Sequence, residues 1–381
     1  MRIGLTLTGA LLALVFVSVN AQAPASAPTP AAAGAVAGQA RAATPKSAAV
    51  PRMPDGRPDL QGNWTNATIT PLERLNPKLP LVISEEAARD DENKTRAAIE
   101  LREQNSDPNR AAPPVGGELR KSPNAEPTYL ERLWQGGAGV VGGYNSFWID
   151  PGDRVLRVDG QPRSSMIIDP PSGRVPGYTD AARTRVAAAA AVRKQQGGEF
   201  DHPELRPNAE RCITSFGNNA GPPMLPNYFY NNSYTIVQSK DAIVILTEMV
   251  HDARVVRMTG THPPANTRKW FGDSIGRWDG DTLVIETTNF APTHGFRGAW
   301  ENLRVTERLT RRDARTINYR FTVEDPTTFT APFTGELVFN AMAPGEMVYE
   351  YACHEANYGL EGVMSGARAQ EREAAKKKTQ Q

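Results

Sequence analysis

The stretch LRVTERLTRRDARTINYRFTVE, residues 303–324, decides the fold prediction because apolar and polar residues alternate in it twice. The alternating runs are residues 303–311 and 316–324, and a short charged link joins them. Successive side chains on a β-strand point to opposite faces, so each run predicts a strand with one apolar face. A link this short joins antiparallel neighbours, which predicts a β-hairpin.

Similar runs fill the chain from about residue 228 to residue 355. They include YTIVQSKDAIVILTEMV, with a turn predicted at residues 239–241, and the segments GELVFN (335–340) and MVYEYACHE (347–355). The run RWDGDTLVIETTNF contains Asp279-Gly280, which is a strong signal for a tight hairpin turn. No helical crossover separates these strands. They therefore predict an antiparallel sheet that closes into a barrel or pairs with a second sheet.

Residues 65–227 are irregular, rich in proline and glycine, and contain two predicted helices. The first covers residues 84–104, with Ser84 as its N-cap and acidic residues in its first turn. The second covers residues 180–198 and ends at a pair of glycines. We expect both helices to pack outside the sheet. The whole is predicted to be a single mainly-β domain over residues 51–368, followed by a polar tail, residues 369–381.

The N-terminal residues have the features of a secretory signal peptide. Arg2 precedes the apolar run LLALVFVSV, and Ala21-Gln22-Ala23 resembles a cleavage signal, so residues 1–23 are predicted to be removed. The Ala/Pro-rich residues 24–50 lack large apolar side chains and are predicted to form a disordered linker. No later apolar run is long enough to span a membrane. We expect a periplasmic or secreted protein without a membrane span after signal cleavage; an uncleaved N-terminal anchor is the alternative.

The charge pattern argues against a nucleic-acid partner. The formal net charge is +1, and acidic and basic residues are mixed along the chain. A protein that binds nucleic acid through phosphates needs a sustained basic surface. The exceptions are the pair Arg311-Arg312 and the run 376–378. The run lies in the polar tail, where a solvated role is the simpler interpretation.

Cys212 and Cys353 are the two cysteines of the chain. In an exported protein this number favours a disulfide bond between them. The alternative is a catalytic Cys353 beside His354. Adjacent residues on a strand point to opposite faces, however, so His354 is badly placed to act as the base for its neighbour.

Glu307 is predicted to lie on the apolar, inward face of its strand together with Leu303, Val305 and Leu309. A carboxylate on a buried face is unfavourable unless it is paired, hydrogen-bonded or protonated. Two interpretations follow and both stay open. Glu307 is either half of a structural ion pair inside the barrel, or an acid or base with a raised pKa in a pocket.

His251 ends a run, residues 243–250, that is apolar on both faces and is predicted to be a central buried strand. A histidine at the end of such a strand can reach a ligand pocket, although a structural role is more common. Asp252 and Arg254 follow two residues apart on one face of the predicted strand. They are therefore candidates to pair with each other or to contact a ligand.

Polar residues at strand ends complete the predicted site, because barrel mouths collect polar groups there. We predict that four candidate catalytic residues converge at one end of the barrel: Glu307, His251, His354 and Glu355. The candidate ligand-binding residues are Asp252, Arg254, Glu301, Asn302, Asn357 and Tyr358.

No metal or cofactor is predicted. The pairs His251/Asp252 and His354/Glu355 supply possible metal donors, but strand alternation lets only one member of each pair face a given site. Residues 137–142 fit the pattern G-x-G-x-x-G, yet no strand precedes them and no helix follows, as a dinucleotide site requires. No G-x-S-x-G motif for a serine nucleophile is present.

Eight segments along the chain form a characteristic set: PDGRPDLQGNW, IIDPPSGRVP, ERC…GPPMLP…YNNSYTIVQ, VILTEMVHDAR, GDSIGRWDGDTLVIETTNF, ENLRVTERLTR, VEDPTT and YEYACHEANYG. Together they resemble the segments of a large group of uncharacterised exported bacterial proteins. The resemblance covers the chain from about residue 51 to residue 368. It implies export and does not imply a particular reaction.

A looser resemblance concerns the fold. Gly62-Asn63-Trp64 is similar to the G-x-W triplet that opens the first strand of lipocalins, and the meander from GDTLVIET to ENLRVTERLTR looks like a lipocalin-like barrel. The predicted fold is therefore mainly β, an antiparallel lipocalin-like barrel or strongly curved sheet. Its core covers residues 228–355, residues 62–64 add a strand, and the irregular Pro-rich segment and two helices pack outside.

Two functions of different class fit this description. The first is an exported, cofactor-independent hydrolase, lyase or isomerase that acts on a small aromatic or polycyclic compound in a barrel pocket. Glu307 or His251 would be its base, and His354 or Glu355 its acid. The second is a non-catalytic periplasmic binding or carrier protein whose polar groups orient a small organic ligand. A scaffold role in the cell envelope is a third interpretation.

Overall fold

A computed structural model describes residues 49–103, 128, 130–131, 150–355 and 357–379. The predicted signal peptide, nearly all of the predicted linker and the glycine loop at residues 137–142 lie outside these ranges. Within them, no helix is both long enough and apolar enough to cross a membrane.

Short strands dominate the described part of the chain. The strands are β1 (Gly62–Thr65), β2 (Arg157–Val158), β3 (Gln161–Pro162), β4 (Ile167–Asp169), β5 (Ser233–Gln238), β6 (Ala242–Thr247), β7 (Ala253–Arg257), β8 (Asp273–Asp279), β9 (Thr282–Thr288), β10 (Arg304–Arg311), β11 (Thr316–Glu324) and β12 (Phe333–Ala341). The α-helices are α1 (Glu85–Glu103), α2 (Asp180–Gln196) and α3 (Tyr358–Thr379). Two 3₁₀ turns cover Pro203–Leu205 and Met249–His251.

Nine strands, β1 and β5 to β12, form a closed barrel with the helices outside it. β5 to β12 pair in chain order, and β1 closes the ring because it pairs with β5 on one side and β12 on the other. Closure removes the free sheet edges that would otherwise attract other chains. The predicted fold class is confirmed, including the extra strand at residues 62–64.

The β10–β11 hairpin has the predicted alternation. Glu307 pairs with Phe321 and Leu309 pairs with Tyr319 across the ladder, and all four side chains are buried. The tight turn between β8 and β9 is also confirmed. Gly280 adopts a left-handed conformation there (φ +57°), which glycine accepts without strain.

One pairing departs from the predicted antiparallel sheet. β7 and β8 are parallel and share two residue pairs, Val256 with Ser274 and Arg257 with Ile275. Parallel neighbours need a connection that returns the chain to the same end of the sheet. Residues 258–272 form this connection. They are an irregular loop without a helix, so the sequence pattern did not mark them as a crossover.

Two predicted strands are wrong. The run 243–250 is not one strand, because β6 ends at Thr247 and the chain reverses through the turn Met249–His251 into β7. Met249 and Val250 are buried in that turn, which explains why the apolar run continues past the end of β6. The segment 347–355 is not a strand either. β12 already pairs with β1, so the closed barrel has no free edge there to accept it.

The helices follow the sequence in part. Ser84 caps α1 as predicted, since its hydroxyl accepts a hydrogen bond from the Ala87 amide (3.1 Å). α2 begins at Asp180 with Thr179 as its cap, and Ala182 is its buried residue. The third helix, α3, was not predicted. It includes most of the expected polar tail, and none of its residues is fully buried.

Aromatic side chains pack the barrel interior. The largest fully buried side chains on its strands are Trp64, Tyr234, Tyr319, Phe321, Phe333 and Phe339. Burial of such rings is a dominant source of core stability, and several pack edge-to-face, as Tyr319 does on Phe339 with ring centroids 5.4 Å apart.

Residues 58–64 close one end of the barrel, which we call the plugged end. Leu60 is fully buried; its amide donates to Gln238 Oε1 (2.9 Å) and its carbonyl accepts from Trp64 Nε1 (3.0 Å). Arg311 lies over the Trp64 ring, with its guanidinium carbon 4.9 Å from the ring centroid. The same guanidinium donates to backbone carbonyls of the plug and of the β10–β11 turn.

Candidate functional site

Residues 212–232, which we call the cap, close the other end of the barrel. The predicted disulfide is confirmed, with the Cα atoms of Cys212 and Cys353 5.6 Å apart. It joins the start of the cap to residues 347–355, which we call the strap. Met224 in the middle of the cap is fully buried and reaches the barrel interior, where its amide donates to Tyr319 Oη (2.9 Å).

Glu307 lies inside the barrel beneath the cap and forms an ion pair with Arg254. Both guanidinium Nη atoms of Arg254 donate to the carboxylate, Nη2 to Oε1 at 2.9 Å, and Tyr319 Oη donates to Oε1 at 2.7 Å. The side chains of Arg254 and Glu307 are 4% and 0% exposed. Of the two interpretations of Glu307, the geometry is therefore that of the internal ion pair.

The surroundings of the ion pair keep Arg254 charged and Tyr319 protonated. Burial opposes the charge of Arg254, but the Glu307 carboxylate raises the pKa of Arg254 above its usual value. Burial, together with the charge of Glu307, raises the pKa of Tyr319 well above its usual range. Tyr319 therefore stays a hydrogen-bond donor to Glu307.

The network continues to the cap through neutral groups. Tyr234 Oη donates to the Asn219 carbonyl (2.8 Å) and accepts from Asn66 Nδ2 (3.2 Å). Asn66 Nδ2 also contacts the Met224 carbonyl (3.3 Å). Three buried polar atoms here have no hydrogen-bond partner: Asn66 Oδ1, Asn219 Oδ1 and Arg254 Nε. We call this set of six side chains the core network. Asn66, Tyr234, Arg254, Glu307 and Tyr319 lie outside the cap, and Asn219 belongs to the cap itself.

His251 lies on the outer side of the capped end, exposed to solvent. Its Nδ1 is 3.3 Å from the carbonyl of Tyr351 in the strap, and the ring of Tyr351 stacks on that of Tyr230 in the cap (centroids 6.3 Å apart). His251 and Val250 both have left-handed backbone conformations (φ +46° and +64°). Such conformations are strained for residues with a side chain, and they recur at functional sites.

Asp252 is half-buried beside His251. Its Oδ2 is buried without a hydrogen-bond partner, and burial raises the pKa of Asp252 to about 6, although nearby His251 opposes the shift. The predicted pairing of Asp252 with Arg254 is not made. The turn before β7 sends the Asp252 side chain elsewhere, while Arg254 points into the barrel and pairs with Glu307.

The predicted convergence stays a prediction for His251, His354 and Glu355. His251 meets the strap that carries His354 and Glu355, both exposed. Asn357 Nδ2 lies 3.3 Å from Cys212 Sγ, and Tyr358 is 74% exposed at the start of α3. Glu307 does not join this group, because Arg254 and Tyr319 hold its carboxylate inside the barrel.

Glu301 and Asn302 are exposed before β10 and have local structural contacts. The Glu301 carbonyl accepts from Arg268 (2.9 Å), and Asn302 Nδ2 contacts Thr327 Oγ1 (3.3 Å). Their proposed role in ligand binding stays a prediction.

Sequence reasoning missed most of the core network. Tyr319 could have been found, since it shares the inward face of residues 316–324 with three apolar residues. Asn66 and Asn219 carry no such signal because they lie in irregular segments without a period. Tyr230 and Tyr351 were likewise not selected, since their stacking joins segments that are far apart in the chain.

A second buried carboxylate, Asp273, has a structural explanation. Lys269, Arg257 and His262 all contact it, at 2.6, 2.6 and 2.9 Å. Burial by itself would raise the pKa of Asp273. Hydrogen bonds from the three basic side chains outweigh that effect and hold the pKa of Asp273 below its usual range. The cluster fastens residues 258–272 over the parallel β7–β8 pair.

Within the described ranges, no group of three or more His, Cys, Asp and Glu side chains has the arrangement of a metal site. The surface of the described residues includes open grooves, and two of them are large enough to mention. One, about 290 Å³, lies beside Trp64 and Arg311 at the plugged end. The other, about 540 Å³, lies between Pro203 and α3 and includes Asn357.

No protein-family model matches the chain, and no similar curated protein or solved structure was found.

Proposed function

We propose that the protein is an exported, cofactor-independent enzyme that transfers protons on a small aromatic compound at the capped end of the barrel. Asp252 is the proton acceptor, and His251 is the second acid–base group. The observation that carries this proposal is the Asp252 carboxyl, which is half-buried with one oxygen free of hydrogen bonds. A general base needs such a lone pair, and Glu307 has its carboxylate occupied by Arg254 and Tyr319.

The electrostatics support the same assignment. A general base works best when its pKa lies near the working pH, and burial places the pKa of Asp252 at about 6. His251 lies beside Asp252, and its imidazole is a group that can give or accept a proton in catalysis. Reactions of this kind include hydrolysis, elimination and isomerisation.

The preference for an aromatic compound comes from the rings beside these two residues. Tyr230 and Tyr351 stack next to His251, and half-buried tyrosines offer a flat apolar face with a polar edge. Export is supported by the disulfide, because such bonds persist in oxidising compartments. The signal-like N-terminal sequence and the resemblance to exported bacterial proteins agree with it.

The test compares Asp252→Asn with Asp241→Asn, which changes an exposed aspartate in the turn at the other end of β6. Wild-type protein is incubated with a library of small aromatic esters, epoxides and hydroxyketones, and products are detected by mass spectrometry. For any compound that is converted, we expect turnover to rise with pH through about 6 and to fall about a hundredfold in Asp252→Asn. Asp241→Asn should keep wild-type turnover.

Full turnover in Asp252→Asn would remove Asp252 from the mechanism. Compounds that bind to the wild-type protein without any conversion would instead support the carrier function, with the same residues orienting the ligand.

A further inference from the structure

The cap enters the barrel through its backbone. Three main-chain groups of the cap contact the core network: the Met224 amide on Tyr319 (2.9 Å), the Met224 carbonyl on Asn66 (3.3 Å) and the Asn219 carbonyl on Tyr234 (2.8 Å). The Met224 side chain is fully buried between them. The cap thus presents one N–H donor and carbonyl acceptors to side chains of the barrel, as a bound peptide would.

The core network has more hydrogen-bonding capacity than the cap uses. Asn66 Oδ1 and Asn219 Oδ1 are acceptors without a donor, and Arg254 Nε is a donor without an acceptor. These three residues are 1%, 0% and 5% exposed. Buried polar atoms in folded proteins nearly always have a partner, so three such atoms in one connected network need an explanation.

The charges of the core network decide the chemistry of a partner. Arg254 and Glu307 neutralise each other through paired hydrogen bonds, so the network attracts neither cations nor anions strongly. Its free groups are one donor and two acceptors. A primary carboxamide supplies both kinds of partner, because its carbonyl oxygen has two lone pairs and its amino group donates two hydrogen bonds.

We propose that the core network is a binding site for a small neutral carboxamide, and that Met224 of the cap fills this site when it is not bound. A ligand enters by displacing Met224, while the disulfide keeps the start of the cap attached to the strap. The amide carbonyl accepts from Asn66 Nδ2 and Arg254 Nε, and its two N–H groups donate to Asn66 Oδ1 and Tyr319 Oη. This site differs from Asp252 and His251 and does not depend on catalysis.

The test uses benzamide, with acetophenone as the analogue that lacks the N–H donors and toluene as the analogue that lacks all polar groups. Calorimetry on the intact, disulfide-bonded protein gives the affinities, and hydrogen exchange measures the cap. We expect benzamide to bind more tightly than acetophenone and toluene. Benzamide should also speed amide exchange in residues 212–232, because bound ligand displaces the cap.

Two variants shift the affinity in opposite directions. Met224→Ala removes the competing side chain, so benzamide should bind about tenfold more tightly. Asn66→Ala removes a hydrogen-bonding partner of the ligand, so this variant should bind benzamide about tenfold more weakly. Met364→Ala, a half-buried methionine of α3, is the matched control and should leave the affinity unchanged.

The proposal is overturned if benzamide binds no better than toluene, or if Met224→Ala binds it like wild type. The proposal is also overturned if neither the wild type nor Met224→Ala binds benzamide at concentrations up to the solubility limit of benzamide. The free polar atoms would then hold water only. Each result is independent of whether Asp252→Asn changes turnover.

Discussion

The two ends of the barrel are both closed, but by different means. At the plugged end, residues 58–64 lead directly into β1, and Arg311 satisfies backbone carbonyls over the Trp64 ring. At the capped end, the closing segment is a long excursion between distant strands, fastened by a disulfide and by hydrogen bonds to a buried ion pair. The plug is part of the barrel strand itself, whereas the cap is a separate piece laid over a polar interior.

The difference is the reason for proposing the site at the capped end. The capped end combines Asp252, His251 and the core network. A closure that depends on a few polar contacts can open at a smaller free-energy cost than one built into a strand. Experiments that loosen each end separately test this comparison.

Loss of the disulfide should have the largest effect. The bond joins cysteines 141 residues apart, and a loop of that size is worth about 4–5 kcal/mol of unfolding free energy in the chain-entropy model. We expect Cys212→Ser with Cys353→Ser to lose about this amount in urea denaturation, with faster amide exchange in the cap than in the plug. Reduced wild-type protein should behave like the double variant. An unchanged denaturation midpoint would mean that the polar contacts alone hold the cap.

Breaking the buried ion pair comes next. Glu307→Gln leaves the Arg254 charge buried without its partner, which typically destabilises a protein by about 3–5 kcal/mol. Replacing both residues, as Glu307→Leu with Arg254→Met, should recover much of that loss because no charge is then buried. Asp281→Asn, which breaks the exposed pair with Arg52, is the control and should change little. A stable Glu307→Gln would show that Arg254 finds water or another acceptor.

Arg311→Met tests the plugged end alone. The variant removes hydrogen bonds to three backbone carbonyls, and we expect a loss of about 2 kcal/mol. Amide exchange should increase in residues 58–64 and stay unchanged in the cap. Faster exchange at both ends would mean that the barrel opens as one unit and that the two closures are not independent.

The sequence allowed much of the barrel to be predicted but little of its capped end. Alternation located β10 and β11, and the count of cysteines gave the disulfide, because each of these depends on local pattern or composition. The contact of Met224 with Tyr319 joins an irregular segment to a strand far along the chain, and no period marks it. The prediction of one strand over residues 243–250 was wrong for a related reason. Apolar residues buried beneath a cap cannot be distinguished in sequence from those of a strand.

Acid should loosen the capped end by a smaller, local effect at His294. Burial lowers the pKa of His294, whose Nε2 lies 3.2 Å from the carbonyl of Gly221 in the cap. The folded state therefore binds the proton less well than the unfolded state. The stability that His294 contributes is present above about pH 6.5 and is lost as the pH falls through its lowered folded pKa.

The contribution of Asp252 to stability has the opposite dependence on pH. Its raised pKa favours folding at low pH, and that contribution is lost as the pH rises through about 6. Global unfolding thus mixes two opposing trends, so the informative measurement is amide exchange, corrected for intrinsic rates, in residues 212–232 between pH 7 and pH 5. We expect exchange there to increase on acidification in wild type and to stay level in His294→Gln, which keeps a donor for Gly221. An equal increase in residues 58–64 would show that acid acts on the whole barrel and that the cap has no acid sensitivity of its own.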